Sequence, residues 1–329
     1  MTALHRKIRQ WYAAHGRKDL PWRNTQDPYA IYISEIMLQQ TQVSTVLERY
    51  YFQFLEAFPT ITALAEAPEV KVLKAWEGLG YYQRARNLHK AAKTSGAQLP
   101  AHFEGLIALP GIGRNTAHAV LAFAHHLPVP VLEANVKRVI ARYFAMENPS
   151  DAEWWAKAEA LLDQEEPFIY NQAMMDVGAT ICRPKAPLCL LCPLSDGCIG
   201  KVVPERYPAK KAAKKVPVRE RVIMIRRNKK GQIALIGRSE GRLLGGLYGF
   251  PQYTLEEAEN MAFTPIGEVV HHYTHFTLQA RVGLVEGGGA AGKDGAWYGQ
   301  AEILALPLSK LDRKVLKILI DRSARNRQK

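Results

Sequence analysis

The chain has 329 residues, enough for about two domains of ordinary size, and its 44 lysines and arginines outnumber its 31 aspartates and glutamates to give a formal net charge of +13. A charge balance this basic favours a polyanionic partner, nucleic acid before a membrane surface. Because no run approaches the roughly 18 apolar residues of a membrane span and no secretory segment opens the sequence, we expect an intracellular, cytoplasmic protein.

The first elements are helical. A helix is predicted over about residues 3–15, and Asp27-Pro28 marks the start of the next, with the aspartate as cap and the proline in the first turn. This second helix carries Glu35 inside an apolar run, without a basic residue three or four positions away. Burial there would raise the pKa of Glu35 and keep it protonated as a general acid. A position on the wet face of the helix would make it an ordinary surface residue.

Two glutamines and a tyrosine pair follow. Gln39 and Gln40 close the second helix with the uncharged polar side chains that contacts with base edges require. Further on, a glycine turn carries Tyr81 and Tyr82 just before Arg84, and aromatic residues beside a basic helix stack on bases. Packing of both tyrosines inside a helix interface is the equally open alternative. Helices are predicted around this turn over residues 43–58, 61–67, 69–77 and 83–95.

The stretch Leu109–Arg114 is predicted to form a hairpin between two helices. Gly111 and Gly113 permit a tight turn, and a helical pattern follows at once. The backbone N–H groups of a glycine turn at a helix start form an anion site, to which Arg114 adds a positive charge. A helix-hairpin-helix of this kind holds a DNA phosphate without reading sequence. The alternative is an ordinary glycine turn between packed helices.

A single carboxylate follows about twenty residues later. Glu133 comes after two prolines that force an extended approach, and we expect Asn135 to cap the next helix, which carries Lys137 and Arg138. This places one acid at a loop end beside basic residues. An acid favoured in the first turn by the helix dipole is the alternative interpretation, and spacing alone does not reject it.

The four cysteines of the chain all lie within seventeen residues. Their spacing is C-x6-C-x2-C-x5-C, and they follow helices predicted over 151–162 and 167–179: Cys182, Cys189, Cys192 and Cys198. Disulfides are not expected inside a cell, and a zinc site would normally use two close cysteine pairs. The pattern therefore favours a [4Fe–4S] cluster. Asp176, shortly before the first cysteine, is expected to cap or support rather than to react.

After residue 200 the composition changes. A basic, proline-bearing linker is predicted over 201–219, and beyond it a period-two pattern predicts strands over 221–226 and 233–237. Helices are predicted over about 254–262 and 310–322, so this part is α+β. Within it, residues 271–276 collect histidine, tyrosine and phenylalanine. Metal binding there has no further ligand pattern to support it, and base or backbone contact is the simpler interpretation.

Taken together, these motifs resemble the MutY family of adenine DNA glycosylases, within the helix-hairpin-helix glycosylase superfamily. The resemblance covers nearly the whole chain and rests on SEIMLQQTQV (34–43), WEGLGYYQRARNLHKAA (76–92), LPGIGR (109–114), NVKRVIAR (135–142), the cysteine spacing, LLGGLYGFP (243–251) and YTH (273–275). It implies a mostly helical N-terminal region with an iron–sulfur cluster loop and a C-terminal α+β, MutT-like domain. The segment Leu255–Glu259 lacks the acidic box of active Nudix hydrolases, so nucleotide hydrolysis is not expected there.

The resemblance implies hydrolytic removal of adenine mispaired with 8-oxoguanine or guanine in double-stranded DNA, after the adenine is flipped out of the duplex. Glu35 would protonate adenine at N7 and then help to activate water. Glu133 and Asn135 complete the implied catalytic group. The cluster would order a basic loop that holds DNA.

Lesion recognition is implied for another group of residues. Gln39 and Gln40 would lie by the lesion and the gap, Tyr82 would intercalate next to 8-oxoguanine, and Thr274 and His275 would contact the face of 8-oxoguanine. The remaining implied DNA contacts are Arg84, Gly111, Gly113, Arg114 and Asn115.

Two positions depart from the family pattern. Glu133 stands where the family has an aspartate in L-D-G-N-V, which adds one methylene, and alanine replaces the following glycine. A lesion-binding protein with weakened chemistry is therefore an alternative, because a misplacement of about 1 Å can cost on the order of 10²-fold in rate. Asn115 stands where lyase-type relatives carry the Schiff-base lysine, which predicts a monofunctional enzyme.

A bifunctional pyrimidine-damage glycosylase with lyase activity is a second alternative, and a zinc-stabilised DNA-binding module is a third. We expect a monomer. The predicted domain boundaries are a helical catalytic region over 1–200, made of a six-helix bundle at about 28–134 and a cluster subdomain formed by about 1–27 with 135–200, then the linker 201–219 and the MutT-like domain 220–329.

Overall fold

A computed structural model describes residues 2–209, 216–239, 244–287, 291 and 295–327. The described chain divides into two compact units. The first comprises the residues up to Glu66 and those from Lys90 to the linker, and the second combines Ala67–His89 with the residues after the linker. Residues 210–215 of the predicted linker lie outside the described residues. None of the described helices is long and apolar enough to cross a membrane.

Twelve α-helices precede the linker among the described residues. They are α1 (Ala3–His15), α2 (Pro28–Leu38), α3 (Val43–Arg49), α4 (Tyr51–Ala57), α5 (Ile61–Glu66), α6 (Glu69–Ala75), α7 (Gln83–Ser95), α8 (Phe103–Ile107), α9 (Arg114–Ala124), α10 (Ala134–Tyr143), α11 (Asp151–Leu161) and α12 (Pro167–Asp176).

Local chemistry fixes several of these helix starts. Asp27 accepts a hydrogen bond from the backbone N–H of Tyr29 at 3.0 Å, as a capping residue before a first-turn proline should. Ser150 forms a reciprocal capping box with Glu153 at the start of α11. The predicted helix over 43–58 is two helices, because the backbone breaks at Tyr50. The helix predicted over 167–179 ends at Asp176 and continues as a wider π-type turn.

Two cores stabilise the first unit. One joins α1, α10, α11 and α12 through residues such as Ile8, Val139 and Met174. The other packs α2 against α9 through Ile31 and Phe123. Nine of the eleven residues of α2 are buried, including Glu35.

The second unit is built on a mixed sheet. Among the described residues its strands are β1 (Val218–Arg227), β2 (Ile233–Gly237), β3 (Tyr248–Gly249), β4 (Gln252–Tyr253), β5 (Thr264–His272), β6 (Thr277–Glu286) and β7 (Gly295–Tyr298), and its helices are α13 (Leu255–Glu259), α14 (Gln300–Ala305) and α15 (Lys310–Arg327). The strand order is β3-β2-β1-β6-β5, with β4 paired to β1 and β7 to β2. β1 and β6 run parallel, and β5 and β6 form an antiparallel hairpin. Apolar residues of α15 cover this sheet.

The segment Ala67–His89 packs into this second unit although it lies within the helical part of the sequence. Glu77 forms an ion pair with Arg313 of α15. The buried guanidinium of Arg86 donates to the carbonyl of Gly245. Gly246 has a φ of +79°, and a Cβ on it would lie 2.8 Å from Leu73. The glycine pair therefore lets the 244–247 turn lie directly against α6 and α7.

Candidate active site

A cavity of about 240 Å³ opens in the first unit between α2, α9, the start of α10 and α12. Two carboxyl groups line it, Glu35 from the middle of α2 and Glu133 from the residue that caps α10. Glu35 is only 7% exposed, so the interpretation of a wet-face position is wrong. Glu133 has no hydrogen bond from its side chain to the helix it precedes, so its carboxyl group is available to the cavity.

The two carboxyl groups lie close enough for each to shift the pKa of the other. Burial, the negative charge of Glu133 and the hydrogen bond to it raise the pKa of Glu35 well above its usual range. Burial also raises the pKa of Glu133, whereas the hydrogen bond from Glu35 and the positive charge of Arg23 act in the opposite direction. Of the two, Glu35 therefore holds its proton to the higher pH, so it can serve as a general acid while Glu133 supplies negative charge.

A buried ion-pair network supports one wall of the cavity. Arg23 binds Asp176 through two hydrogen bonds of 2.7 and 2.9 Å, and Arg17 binds the same carboxylate through its backbone N–H and its guanidinium. These bonds lower the pKa of Asp176 despite its burial. Asp176 thus holds both arginines in place, as a supporting residue would. No local pattern indicates Arg23, because its partner lies about 150 residues away in the sequence.

Gln172 and Trp22 also line the cavity, and sequence reasoning missed both. Gln172 is 2% exposed, and its Oε1 has no hydrogen-bond partner among the described residues. The Nε of Arg23 is likewise buried without a partner within the described part of the chain. Buried polar atoms normally have a hydrogen-bond partner, which for these two atoms would be a polar ligand or water.

Asn135 does not cap α10. The helix begins at Ala134 and Glu133 is its N-cap, so Asn135 already lies in the first turn. Its Oδ1 instead accepts a 2.8 Å hydrogen bond from Arg138, which also donates to the carbonyls of Cys182 and Gly178. The capping prediction was wrong because two polar residues, Glu133 and Asn135, flank Ala134, and only the backbone conformation decides which of them precedes the helix. Asn135 still lines the cavity.

The predicted hairpin precedes α9. Gly111 has a φ of +79°, whereas Gly113 has an ordinary φ and is the N-cap of the helix. A Cβ on Gly113 would meet nothing within 4 Å, so the backbone there is open to a close approach. The guanidinium of Arg114 donates to Glu159 at 2.8 Å and lies over the ring of Trp155. The anion site therefore depends on backbone N–H groups, with the charge of Arg114 already paired.

Three further predicted residues lie near the cavity-forming helices of this unit. Asn115, in the first turn of α9, accepts a 2.6 Å hydrogen bond from the backbone N–H of Leu132. Gln39 and Gln40 are both exposed at the end of α2. Gln39 lies 3.5 Å from the hydroxyl of Thr116, and Gln40 has a φ of +58°. The helix has already ended at Leu38, with Gln39 as its C-cap, and Gln40 follows in the left-handed conformation.

The glycine turn that carries Tyr81 and Tyr82, here called the tyrosine turn, belongs to the second unit. Its geometry corrects the assignment of Tyr82 as the intercalating residue. Tyr82 is 6% exposed, and its hydroxyl accepts from the N–H of Gly78 and donates to the carbonyl of Leu308. A ring held in this way cannot intercalate without unfolding the turn. Tyr81 is 47% exposed, with a φ of +48° that aims it away from the core. The guanidinium of Arg84 lies over the Tyr81 ring, so Arg84 supports this tyrosine.

A second cavity, of about 660 Å³, lies within the second unit beside this turn. Tyr81, Thr274 and His275 all line it. The hydroxyl groups of Tyr81 and Thr274 are 3.3 Å apart. The structure therefore brings the exposed Tyr81 together with Thr274 and His275, the two residues predicted from the resemblance. Tyr81 lies nearly 200 positions before them in the sequence.

The four cysteines line one cavity in the first unit and are not joined by disulfides. Burial and the neighbouring thiols raise the pKa of Cys192 to about 11 and also raise that of Cys198. Arg142, almost fully buried, donates to the sulfur of Cys182 at 3.3 Å and to backbone carbonyls of the loops on either side of the cysteines. The site thus collects four thiols and the side chains of Arg142 and Lys201 about one cavity.

Neither the cysteines nor the histidines of the described chain form a group of three or more ligands around the position of a single metal ion. In a [4Fe–4S] cluster each cysteine binds a different iron, so the sulfurs lie farther apart than around one zinc ion. The four thiols of this chain lie about one cavity, as a cluster of this kind would require.

Comparison with known proteins gives consistent matches. Residues 33–164 match the family described as HhH-GPD superfamily base excision DNA repair protein, and residues 222–318 match the NUDIX domain. An adenine DNA glycosylase of Buchnera aphidicola subsp. Schizaphis graminum (strain Sg) is 33% identical, over 94% of this chain and 97% of its own. That of Homo sapiens is 31% identical, over 86% of this chain and 66% of its own. A solved thermostable thymine-DNA glycosylase has a TM-score of 0.56 and 31% identity, and covers 59% of this chain and 93% of its own.

Proposed function

The chain belongs to the adenine DNA glycosylases, and from this premise we propose that it hydrolyses the N-glycosidic bond of adenine mispaired with 8-oxoguanine or guanine in duplex DNA. The observation that carries the proposal is the pair of buried carboxyl groups in one cavity, of which Glu35 holds its proton to the higher pH. Departure of a purine needs a proton on the base and a negative charge near the sugar, and this pair offers both.

In this mechanism the adenine leaves the stack and enters the cavity lined by Trp22 and Gln172. The open Nε–H of Arg23 suits a ring nitrogen, and the open Oε1 of Gln172 suits the exocyclic amine. Glu35 donates its proton to N7, and the bond between the base and the sugar breaks. Glu133 stabilises the positive charge that develops on the sugar. Glu35, now ionised, accepts a proton from the attacking water.

Recognition of 8-oxoguanine is assigned to the second unit. Tyr81 replaces Tyr82 as the intercalating residue, because Tyr81 is exposed and Tyr82 is buried. Thr274 and His275 line the same cavity as Tyr81 and would contact the lesion. Gln39 and Gln40, exposed at the end of α2, would contact the bases around the gap.

We further propose that the enzyme is monofunctional. An amide nitrogen cannot form the Schiff base that a lyase step needs, and the Oδ1 of Asn115 is already bound to the backbone N–H of Leu132. The cysteines Cys182, Cys189, Cys192 and Cys198 would hold a [4Fe–4S] cluster, whose contribution when bound is structural order. Arg142 orients the loops beside them, and the exposed Arg183 and Lys185 would then contact phosphates.

Single-turnover release of adenine tests the proposal. The substrate is a duplex with one 8-oxoguanine:adenine pair, and the strands are resolved with and without alkali. Cleavage that needs alkali supports a monofunctional adenine glycosylase. Strand cleavage without alkali, together with an adduct trapped by borohydride, would support the lyase alternative. Tight binding without base release would support the lesion-binding alternative and assign the loss of activity to Glu133.

A further inference from the structure

The charged side chains that line the second cavity in the described chain are positive. Besides Tyr81, Thr274 and His275, its described lining includes three cationic side chains, from Arg86, Lys310 and Lys314, and no aspartate or glutamate. The positive charges of Lys314 and Lys310, after burial, lower the pKa of His271 on the same wall. The field inside the cavity is therefore positive, which suits a polyanionic ligand.

The two lysines lie on the first turn and a half of α15. Residues four apart on a helix face the same side, with about 5–6 Å between their Cβ atoms. Both side chains are exposed. The other charged residues of this turn are already engaged: Asp312 is buried with Arg238, and Arg313 pairs with Glu77. Lys310 and Lys314 are thus the cations that this end of α15 presents to the cavity.

Lys314 is also held in position. Its Nζ donates a 2.9 Å hydrogen bond to the carbonyl of Val270, the residue before His271. An ammonium group has three donors, so two remain for a ligand after this bond. A lysine fixed in this way loses less conformational entropy on binding than a free one.

The same cavity is lined by Tyr81 and Thr274, which we have assigned to the lesion-bearing strand. We propose that Lys310 and Lys314 of α15 bind backbone phosphates of that same strand, next to the nucleotide that Tyr81 and Thr274 contact. This inference rests on the proposed function for the kind of ligand, duplex DNA, but it assigns a new phosphate-binding site in the C-terminal helix. Phosphate contacts fix register and orientation, so this site would position the lesion for the tyrosine.

The test measures the salt dependence of binding. The ligand is a duplex with 8-oxoguanine opposite a tetrahydrofuran abasic site, which has no base to release. Each phosphate contact contributes about −0.9 to the slope of log K against log salt. For the double variant Lys310→Ala, Lys314→Ala we expect weaker binding at low salt and a slope less steep by about 2. Lys317→Ala, an exposed lysine of the same helix outside the cavity lining, is the matched control and should keep the wild-type slope.

Two further measurements separate loss of a phosphate contact from unfolding and from binding of a free nucleotide. Lys314→Gln removes the charge but keeps a donor for Val270, so a slope reduced by about 1 in this variant excludes mere unfolding. A double variant with the slope of Lys317→Ala would overturn the proposal. Displacement of the duplex by dGMP would also overturn it, since the cavity would then be a nucleotide pocket. Because binding is measured without chemistry, a wild-type chain that binds but releases no adenine would refute the proposed function and leave this test intact.

Discussion

Replacing Glu133 by glutamine isolates the charge of this residue from its size. Glutamine has the same length and can still accept a hydrogen bond from Glu35, but it carries no negative charge. Two consequences follow from the geometry, one for the rate and one for its pH dependence. They have different physical origins, so measuring both tests the arrangement itself.

The rate of adenine release should fall. Removing one preorganised group that stabilises transition-state charge typically costs 10²–10³-fold, or about 2.7–4 kcal/mol. The pH profile should also shift. Glu35 acts in its protonated form, so base release declines as the pH rises through the pKa of Glu35. Glu133 is one of the causes that raise this pKa, after burial. Without its charge the pKa of Glu35 falls, and the alkaline limb of the profile moves to lower pH.

The assay is single-turnover adenine release from an 8-oxoguanine:adenine duplex between about pH 5 and 9, with alkali cleavage of the product strand. The matched control is Glu48→Gln, the same chemical change at an exposed position of α3. A slower variant whose alkaline limb does not move would refute the reasoning, because Glu133 would then not act on Glu35.

Glu133→Asp keeps the charge but withdraws it by one methylene, so we expect a slower reaction, by up to about 10²-fold. A faster reaction would instead show that glutamate is a poor substitute at this position.

Four other variants test further parts of the proposal. Glu35→Gln should lower adenine release by about 10²–10⁴-fold in the same assay, with unchanged duplex binding in a gel shift. Folded Glu35 keeps its proton at pH values where the unfolded chain has lost it, so ionisation destabilises the wild-type protein at neutral pH. Thermal melts should therefore show that Glu35→Gln is more stable than the wild-type protein at pH 7 but not at pH 4. Tyr81→Ala should reduce the binding preference for lesion-containing over undamaged duplex by about 1–3 kcal/mol, measured by competition. Tyr82→Phe should instead lower the free energy of unfolding by only about 1 kcal/mol, measured by denaturant titration. Arg142→Met should lower the iron content and visible absorbance of the purified protein, since it removes the donors that join Cys182 to the loops beside it.

Much of the helical region could be predicted because local signals mark it. Asp27-Pro28 and the hairpin glycines determine helix starts through their own chemistry, and these predictions are confirmed. The break at Tyr50 could not be predicted, since the apolar periodicity continues through it. The choice between Glu133 and Asn135 as cap likewise depends on backbone angles that neither residue dictates.

The residues of the candidate site likewise divide into those that a local sequence pattern predicts and those that depend on distant partners. Glu35 was predictable, because an isolated acid in an apolar run is a local pattern. Arg23 and Gln172 were not, because each gains its meaning from partners more than a hundred residues away. The two adjacent tyrosines show the limit most clearly. They are chemically identical, and only the positive φ at Tyr81 and the hydrogen bonds of Tyr82 decide which ring is exposed.

The placement of Ala67–His89 in the second unit has a consequence for the order in which the chain can fold. Glu77 leaves the ribosome 236 residues before its partner Arg313. At about 5–20 residues per second, this segment waits roughly 12–47 s for the helix that completes its surroundings. The second unit therefore has high contact order, and its folding is intrinsically slow. A chain truncated at the linker would lack Arg313 and the carbonyl of Gly245, the partners of Glu77 and Arg86, so α6 and the tyrosine turn should be less stable in such a fragment than in the full chain.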